Sequence, residues 1–448
     1  MKDNRLHEGL YLFTYTIILL SLLAIVPAIS IGSFQLKEIN LISDIKRIIE
    51  PPVTRIDSAI AVEPEVTRKN SKCPAGLVCF EDYSENGKAL QAFVKKMGRR
   101  KSEPVRIAFF GDSFIEGDIL TAPLRDTLQQ IFGGRGQGFV PLYSDVSKFR
   151  NSIKHEFENL EQKTITGKYF SEPEFGPSGQ IIRALENNQV FFGPGKNQKR
   201  LEKASLLYAC QNPGSIRLTV NDTIEKELTF QSDPLLGKLP LTETGTASIR
   251  LNFNAADSAN LYGLILEGGN GIYIDNLAMR GNSGLALTRL SGKMLSKIRS
   301  IRPYHLIVLQ FGLNVISEQD STDYSWYVAG MRNVVDHFRN AFPESSILIL
   351  GISDRSMNLN GEFQTIPAVM RMRKAQRRIA EKTGVLFWDT FDAMGGENSM
   401  VRLAALQPPL AGKDHTHLNY RGGQMVAGKL AKAMIFEIEQ YESTGANY

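Results

Sequence analysis

Residues 105–113 read Val-Arg-Ile-Ala-Phe-Phe-Gly-Asp-Ser, and this stretch decides the fold. Five of its first six residues are apolar, which is typical of a strand buried on both faces of a parallel sheet. Gly111-Asp112-Ser113 then predicts a sharp turn, and residues 119–132 carry apolar side chains at helical spacing. The sequence therefore predicts a strand, a turn that carries a serine, and a helix.

The same alternation returns in the C-terminal part of the chain. Further strands are predicted at residues 306–311, 347–350 and 385–388, and helices at residues 325–341, 366–382 and 420–438. Strands that alternate with helices indicate an α/β fold, with a parallel sheet covered on both faces.

Residues 151–270 follow a different pattern, with short alternating strands such as 215–220 and 261–266 between Asn, Asp, Gly and Pro. This pattern predicts a β-sandwich. Because the helical pattern continues on both sides, we expect the β-sandwich to interrupt an α/β domain formed by residues 104–150 and 271–440.

The N-terminal segment is apolar enough to cross a membrane. Residues 9–36 include no charged side chain, and about 20 apolar residues suffice for a transmembrane helix. Lys2 and Arg5 precede the run and favour a cytoplasmic N-terminus. We therefore predict a signal-anchor transmembrane helix within residues 1–36 and an extracytoplasmic stalk at residues 37–103. A cleaved signal peptide is the alternative.

Composition and cysteines fit an envelope protein. The formal charge of +5 over 448 residues is too small to indicate nucleic-acid binding. Cys73 and Cys79 could form a disulfide in an oxidising compartment, whereas Cys210 lies in an apolar segment and is expected in the core. The basic residues near residue 375 are interpreted as a solvent-exposed helix face: Arg371, Arg373, Lys374, Arg377 and Arg378.

Ser113 is a candidate nucleophile, because a serine beyond the carboxyl end of a buried strand lies where open α/β sheets form their ligand crevice. Helix capping is the alternative role for such a residue. A serine esterase also needs a base, and Asp414-His415-Thr416-His417 supplies one in a loop before the last helix. Asp414, three residues before His417, can orient its imidazole, and His415 is the alternative base.

These segments resemble the SGNH (GDSL) hydrolase superfamily, whose four blocks contribute Ser, Gly, Asn and His. Gly111-Asp112-Ser113 resembles the first block, residues 276–281 the second, Gly312-Leu313-Asn314 the third and residues 414–417 the fourth. The resemblance implies a flavodoxin-like three-layer domain. It also implies an oxyanion hole formed by the backbone of Ser113 and Gly281 and by the Asn314 side chain.

The sequence departs from the family pattern in three of these blocks. The first block reads Ser113-Phe114-Ile115-Glu116, without the Leu that gives the GDSL name. Val315 stands where many relatives have Asp, so Asn314 is expected to lack that partner, and Ala278 replaces a frequent Gly. The layout is most similar to the peptidoglycan O-acetylesterase-like branch, which also has a first block like residues 111–118. That branch interrupts its catalytic domain with a carbohydrate-binding-like β-sandwich.

The resemblance implies a serine esterase that removes O-acetyl or other short acyl groups from an envelope or extracellular polysaccharide. We expect the catalytic part in the periplasm or cell envelope, with acyl-transfer partner proteins as a further expectation. A polysaccharide O-acetyltransferase with the same triad, and an inactive carbohydrate-binding envelope protein, are the alternatives. No zinc spacing or nucleotide motif stands in a supporting context, so we expect neither a metal nor an organic cofactor.

Overall fold

A computed structural model describes residues 72–169, 173–196, 198–317 and 322–443, and seven positions nearer the N-terminus. The chain divides into two compact units, Met1–Val66 and Thr67–Tyr448. In the first unit the described elements include two strands, β1 (Ser30–Ile31) and β2 (Phe34–Gln35), which pair antiparallel. All elements named below belong to the second unit.

The predicted transmembrane helix within residues 1–36 is not supported. Strands β1 and β2 pair inside that range, so a single helix does not run to residue 36. Among the residues that the structure describes, no helix is both long and apolar enough to cross a membrane. Most of the predicted span lies outside the described residues. Hydropathy predicted the span, but a short apolar run is compatible with a strand as well as with a helix.

The second unit is built on a six-stranded sheet. In spatial order its strands are β14 (Gly271–Ala278), β4 (Pro104–Gly111), β15 (Leu306–Gln310), β16 (Ser346–Leu350), β19 (Leu386–Trp388) and β3 (Glu81–Asp82). The strand before Ser113 and the strand near residue 306 were expected in one sheet, and β4 and β15 are parallel neighbours in it.

The sheet is mixed, and the prediction of a wholly parallel sheet is wrong. Strand β3 runs antiparallel to β19 at the sheet's edge. This strand lies within residues 37–103, which were predicted to form a stalk. It has only two residues, too few to produce a recognisable alternating pattern. The Cys73–Cys79 disulfide lies just before β3 in the chain.

Eight α-helices accompany this sheet in the described residues. They are α1 (Gln91–Met97), α2 (Thr121–Phe132), α3 (Gly292–Ile301), α4 (Ser325–Ala341), α5 (Pro367–Thr383), α6 (Thr390–Met394), α7 (Ser399–Ala405) and α8 (Tyr420–Ser443). Helix α8 packs on α1 and α2, whereas α4 packs on α3 and α5. Helix α5 begins at Pro367 and ends before Gly384 at φ +63°, as proline and glycine favour.

The basic face of α5 is partly buried, so its interpretation as a solvent-exposed face is wrong. Arg377 lies 2.9 Å from Glu81 and 2.6 Å from Asp389, and Arg373 lies 2.5 Å from Asp389. Since Glu81 and Asp389 are buried, these ion pairs connect α5 to β3 and to the start of α6. Helical spacing predicted one polar face but could not show that acidic residues from distant segments pack against it.

A nine-stranded antiparallel sheet occupies most of the middle of the chain. Its strands are β5 (Gly138–Pro141), β6 (Ile153–Thr164), β7 (Gln180–Pro194), β8 (Ala204–Cys210), β9 (Gly214–Val220), β10 (Ile224–Phe230), β11 (Asp233–Thr242), β12 (Ile249–Phe253) and β13 (Asn260–Leu266). A separate hairpin, β17 (Ser356–Leu359) and β18 (Glu362–Thr365), lies later in the chain.

This nine-stranded sheet corrects the predicted β-sandwich. Its strands form one continuous network, nearly closed like a barrel, because the 15-residue β7 pairs with β12 near Val190 and with β13 at Ile182. Strand β7 therefore connects by hydrogen bonds two groups of strands that would be separate sheets in a β-sandwich. Alternating apolar residues predict strands with one buried face, but they do not distinguish one curved sheet from two packed sheets.

Strand β13 joins the curved sheet to the rest of the second unit. Leu264 and Leu266 pack inside the curved sheet, whereas Tyr262 and Ile265 pack in the core that includes the six-stranded sheet. Successive side chains of a strand point to opposite faces, and the register shift between Leu261 and Gly263 explains why Tyr262 and Leu264 lie in different cores although they are two residues apart. The curved sheet is thus packed directly against the part of the second unit that contains the six-stranded sheet.

Candidate active site

The turn after β4 carries Ser113 at the carboxyl end of the six-stranded sheet. Asp112 N–H donates to the Gln310 carbonyl at the end of β15, at 3.2 Å, and Glu116 N–H donates to the Ser113 carbonyl at 3.3 Å. Helix α2 begins only at Thr121, after a 3₁₀ turn. The turn is therefore fixed by the neighbouring strand, and Ser113 is not at the N-terminus of α2.

The structure brings the three predicted triad residues together. Ser113 Oγ lies 3.1 Å from His417 Nε2, and His417 Nδ1 lies 2.7 Å from Asp414 Oδ2. The loop itself maintains this geometry, because Asp414 Oδ1 also accepts from the backbone N–H of Thr416 and His417 at 3.1 Å each. The arrangement is that of a nucleophile, a base and a residue that orients the base.

The electrostatics of the loop favour an ionised Asp414. Partial burial would raise the pKa of Asp414, but hydrogen bonds from the His417 side chain and from two backbone N–H groups outweigh it and hold this pKa below its ordinary value. The side chains of His417 and Asp414 are 44% and 53% exposed, so the triad is open to water.

His415 faces away from Ser113. Its ring packs on Phe363 of the hairpin β17–β18, with 4.2 Å between the ring centroids, and its carbonyl accepts from Ser356 N–H at 3.0 Å. His415 adopts φ +48°, in the left-handed region, so the backbone direction changes at this residue. This residue therefore anchors the loop to the hairpin, and the structure does not bring it to the nucleophile.

The other described histidines make structural contacts. His155 is stacked on Phe192, and burial lowers its pKa to about 3. Burial also lowers the pKa of His305, to about 4, and its Nδ1 accepts from a backbone N–H of β4. His337 bonds to the Leu290 carbonyl.

Two backbone N–H groups near Ser113 remain available to a ligand. Neither Ser113 nor Gly281 donates its N–H to another described residue. Gly281 adopts φ +69°, and a Cβ there would meet no atom within 4 Å, so glycine is favoured by the backbone conformation and not by lack of space. It lies three residues beyond β14, the direct neighbour of β4.

Asn314 has a partner that the sequence did not indicate. Its amide donates to Asp112 Oδ2 at 3.1 Å and to the Asn282 carbonyl at 3.3 Å. Val315 supplies no carboxylate, and Asp112 from the first sequence block is the partner instead. Both amide hydrogens are in use, so binding an oxyanion would require exchange of the longer bond.

Asp112 is a second feature of the site that sequence reasoning missed. It is fully buried, and burial raises its pKa to about 7 despite hydrogen bonds from Phe114 N–H and Asn314 and the nearby His417. A carboxyl group with a strongly shifted pKa beside a candidate triad is a common property of active sites. Its place between Gly111 and Ser113 was the only sequence signal.

Asp118 connects the site to the curved sheet. This buried carboxylate accepts from Arg125 of α2 at 2.8 Å and from Asn276 of β14 at 3.0 Å, and it also accepts from Ser152 just before β6. Arg150 lies 3.3 Å away. Burial opposes ionisation, but the two arginines hold the pKa of Asp118 well below its ordinary value. The segment after Ser113 is therefore connected to the start of β6 in the curved sheet.

Clusters of possible metal ligands are absent from the described parts of the chain. No group of three or more His, Cys, Asp or Glu side chains lies close enough there to hold a metal ion. The candidate site consists of a serine, a histidine, a carboxylate and hydrogen-bond donors.

Similar solved structures exist for this fold, although no protein-family model and no curated protein matches the sequence. A peptidoglycan O-acetylesterase structure is 20% identical, with a TM-score of 0.66, over 81% of this chain and 99% of that chain. A family two carbohydrate esterase from Clostridium thermocellum, in complex with cellohexaose, is 11% identical over 62% of this chain and 99% of that chain, with a TM-score of 0.29. A putative GDSL-like lipase from Parabacteroides merdae is 16% identical over 36% of this chain and 72% of that chain, with a TM-score of 0.26.

By its fold, the chain is similar to an esterase of known structure. More particularly, it is similar over most of its length to the peptidoglycan O-acetylesterase structure, whose fold it shares. The other two TM-scores are too low to support an argument. At 20% identity the likeness shows the fold alone, so the activity has to be argued from the site.

Proposed function

We propose that this chain is a serine esterase that removes O-acetyl or other short acyl groups from a cell-envelope or extracellular polysaccharide such as peptidoglycan. The observation that carries the proposal is the continuous contact from Ser113 Oγ through the His417 imidazole to Asp414, at 3.1 and 2.7 Å. Such a relay activates a hydroxyl group that is otherwise a weak nucleophile.

In the proposed reaction, Ser113 Oγ attacks the ester carbonyl while His417 Nε2 accepts the serine proton. Asp414 holds the imidazole and stabilises the imidazolium. The N–H groups of Ser113 and Gly281 and the Asn314 amide bind the developing oxyanion. His417 then protonates the departing sugar oxygen, and water hydrolyses the acyl-Ser113 intermediate with His417 as base.

Hydrolysis is favoured over acyl transfer because the triad is open to solvent. His417 and Asp414 are both more than two-fifths exposed, so water can reach an acyl group on Ser113. An O-acetyltransferase would have to exclude water until its sugar acceptor bound. The similar peptidoglycan O-acetylesterase structure is consistent with the proposed ester substrate, although the likeness itself is one of fold.

The experiment compares acetate release by wild type and by Ser113→Ala. The substrates are O-acetylated peptidoglycan, acetylated xylan and a small chromogenic acetate ester. We expect release from at least one polysaccharide and from the small ester, and loss of both in the variant. Acyl transfer to a sugar without free acetate would indicate a transferase. Equal activity of wild type and variant would exclude Ser113 as nucleophile.

We also propose an extracytoplasmic location. The support is the Cys73–Cys79 disulfide beside β3, since disulfides persist mainly in oxidising compartments. Thiol alkylation of the protein in its native cells, under non-reducing conditions, tests this location. Labelling of Cys210 alone after denaturation is expected, whereas labelling of all three cysteines would contradict the proposal.

A further inference from the structure

A polar cavity of about 240 Å³ lies between the curved sheet and the loops of the candidate site. One wall contains Glu116, three residues after Ser113, and Arg280, which directly precedes Gly281. The opposite wall contains Thr164 of β6 and Gln180 of β7. Because the loops that carry Ser113 and Gly281 also form this wall, the cavity is beside the candidate site.

Three buried polar atoms of the lining residues have no hydrogen-bond partner among the described residues. They are Ser178 Oγ, Gln180 Oε1 and Arg150 Nε. Buried polar atoms are nearly always paired, so these three atoms require partners, which water or a polar ligand beside them would supply. Gln180 Oε1 can only accept, Arg150 Nε can only donate, and Ser178 Oγ can do either. The matching group is one that both donates and accepts, as a sugar hydroxyl does.

The charges around the cavity are balanced. Arg280 is ion-paired with Glu116, and Arg150 is ion-paired with the buried Asp118. The other acidic residue of the lining, Asp145, is hydrogen-bonded to the Tyr143 hydroxyl. No arginine of the lining is left to bind a phosphate or carboxylate ligand, so the surroundings favour a neutral polar ligand.

Apolar surface completes the lining. Pro141 at the end of β5, Ile165 after β6 and Met279 after β14 border the same cavity. A pyranose ring presents C–H groups between its hydroxyls, and both kinds of group would find matching surface here. The cavity volume suits one sugar ring and not a longer segment of chain.

We propose that this cavity is a binding subsite for one neutral pyranose ring of the acylated polysaccharide, next to the ring whose ester reacts at Ser113. The subsite rests on the proposed function, because its role is to present an ester to the nucleophile. Its residues bind the polymer and do not touch the reacting atoms. Substituting these residues should therefore change KM for polymeric substrates and leave the kinetics with small esters unchanged.

The test compares Ser178→Ala and Gln180→Leu with Gln189→Leu as a matched control. Gln189 lies on the same strand as Gln180 and is outside the cavity lining. Each protein is assayed on the small chromogenic ester and on whichever of O-acetylated peptidoglycan or acetylated xylan gives the higher wild-type rate. Circular dichroism checks that each variant is folded.

We expect KM for the polysaccharide to rise about tenfold in each cavity variant, the effect of one hydrogen bond to the ligand. The kcat/KM value for the small ester should not change, and the control should match wild type on both substrates. An unchanged polysaccharide KM in both cavity variants would overturn the subsite, and would mean that only water occupies the cavity.

A binding measurement separates this proposal from the proposed function. Calorimetric titration of Ser113→Ala protein with the de-O-acetylated disaccharide of peptidoglycan, and with xylotetraose, needs no catalysis. If Ser113→Ala protein binds either sugar and the double variant with Gln180→Leu does not, the subsite is supported. This result would stand even if the chain proves to be no esterase. Binding that Gln180→Leu leaves intact, or no binding to either sugar, contradicts the subsite even if Ser113 is confirmed as nucleophile.

Discussion

The Asn314 amide donates a hydrogen bond to the Asp112 carboxyl group at 3.1 Å, which connects the turn beside Ser113 to the loop after β15. The two residues come from different sequence blocks, and neighbouring parallel strands bring them together. The candidate oxyanion donor is therefore oriented by the residue that immediately precedes the nucleophile. The bond to Asp112 can hold the amide in place while its longer bond, to the Asn282 carbonyl, is exchanged for a bond to the oxyanion.

Substitution of Asn314 by Ala should lower kcat about a hundredfold or more and change KM little. The reason is that an oxyanion donor acts most strongly in the transition state, where the charge develops. Steady-state kinetics on the chromogenic acetate measure both constants. A variant that raises KM at constant kcat would show instead that Asn314 binds the substrate in its ground state.

Asp112→Asn should change how stability depends on pH. The pKa of Asp112 is raised by burial from 3.8 to about 7. Between those values the folded chain holds a proton that the unfolded chain has lost, so this carboxyl group favours folding most at low pH. Its contribution is lost as pH rises to about 7. The wild-type free energy of unfolding should therefore fall, relative to the variant, by more than about 1 kcal/mol over this interval.

Urea denaturation of both proteins at several pH values measures that difference. The variant should be less stable overall, because its amide opposes the Asn314 amide with a second donor. Only the pH-dependent part of the difference tests the titration of Asp112. A difference that stays constant from about pH 4 to pH 7 would show that Asp112 does not titrate in this range.

Ser113→Ala and His417→Ala should each reduce kcat by about 10⁴-fold or more, and the double variant should be hardly worse than either one. Because Ser113 and His417 act as one unit, removing either residue already removes the contribution of both. His415→Ala is the matched control, since its ring packs on Phe363. Loss of activity in a folded His415→Ala protein, with His417→Ala active, would reverse the assignment of the base.

Arg377→Ala should destabilise the protein by about 3–5 kcal/mol, because it leaves the buried Glu81 and Asp389 carboxylates without this partner. Arg378→Ala on the next position of α5 is the control. Arg378 is 45% exposed and lies 3.5 Å from the exposed Asp323, so a change within about 0.5 kcal/mol is expected. Equal effects of the two substitutions in urea denaturation would contradict this account.

The sequence predicted best where a pattern is local. The apolar run of β4, the helical spacing of α4 and the loop around His417 each depend on a few neighbouring residues, and the structure has all three. The sequence could also suggest Ser113 as a nucleophile, since its position beyond a buried strand is itself a local feature.

Features that depend on distant pairing could not be predicted in this way. The two-residue β3 has a partner about three hundred residues later, and the corner formed by β7 depends on which strands pair with it. The same holds for the contact between Asn314 and Asp112. The predicted N-terminal transmembrane helix has no support among the described residues, where β1 and β2 pair.

The position of β4 sets the order in which the protein can assemble during synthesis. Both neighbours of this strand, β14 and β15, are synthesised after the whole curved sheet. An apolar strand without partners is prone to aggregate, and pairing between distant segments is slow. The curved sheet can form meanwhile, and its strand β13 leads through four residues directly into β14. The curved sheet separates Ser113 from His417 along the chain, and through β13 it leads into β14, the first neighbour of β4 to be synthesised. The turn that carries Ser113 is made early. Its contact with His417 can form only after the loop before α8 has been synthesised.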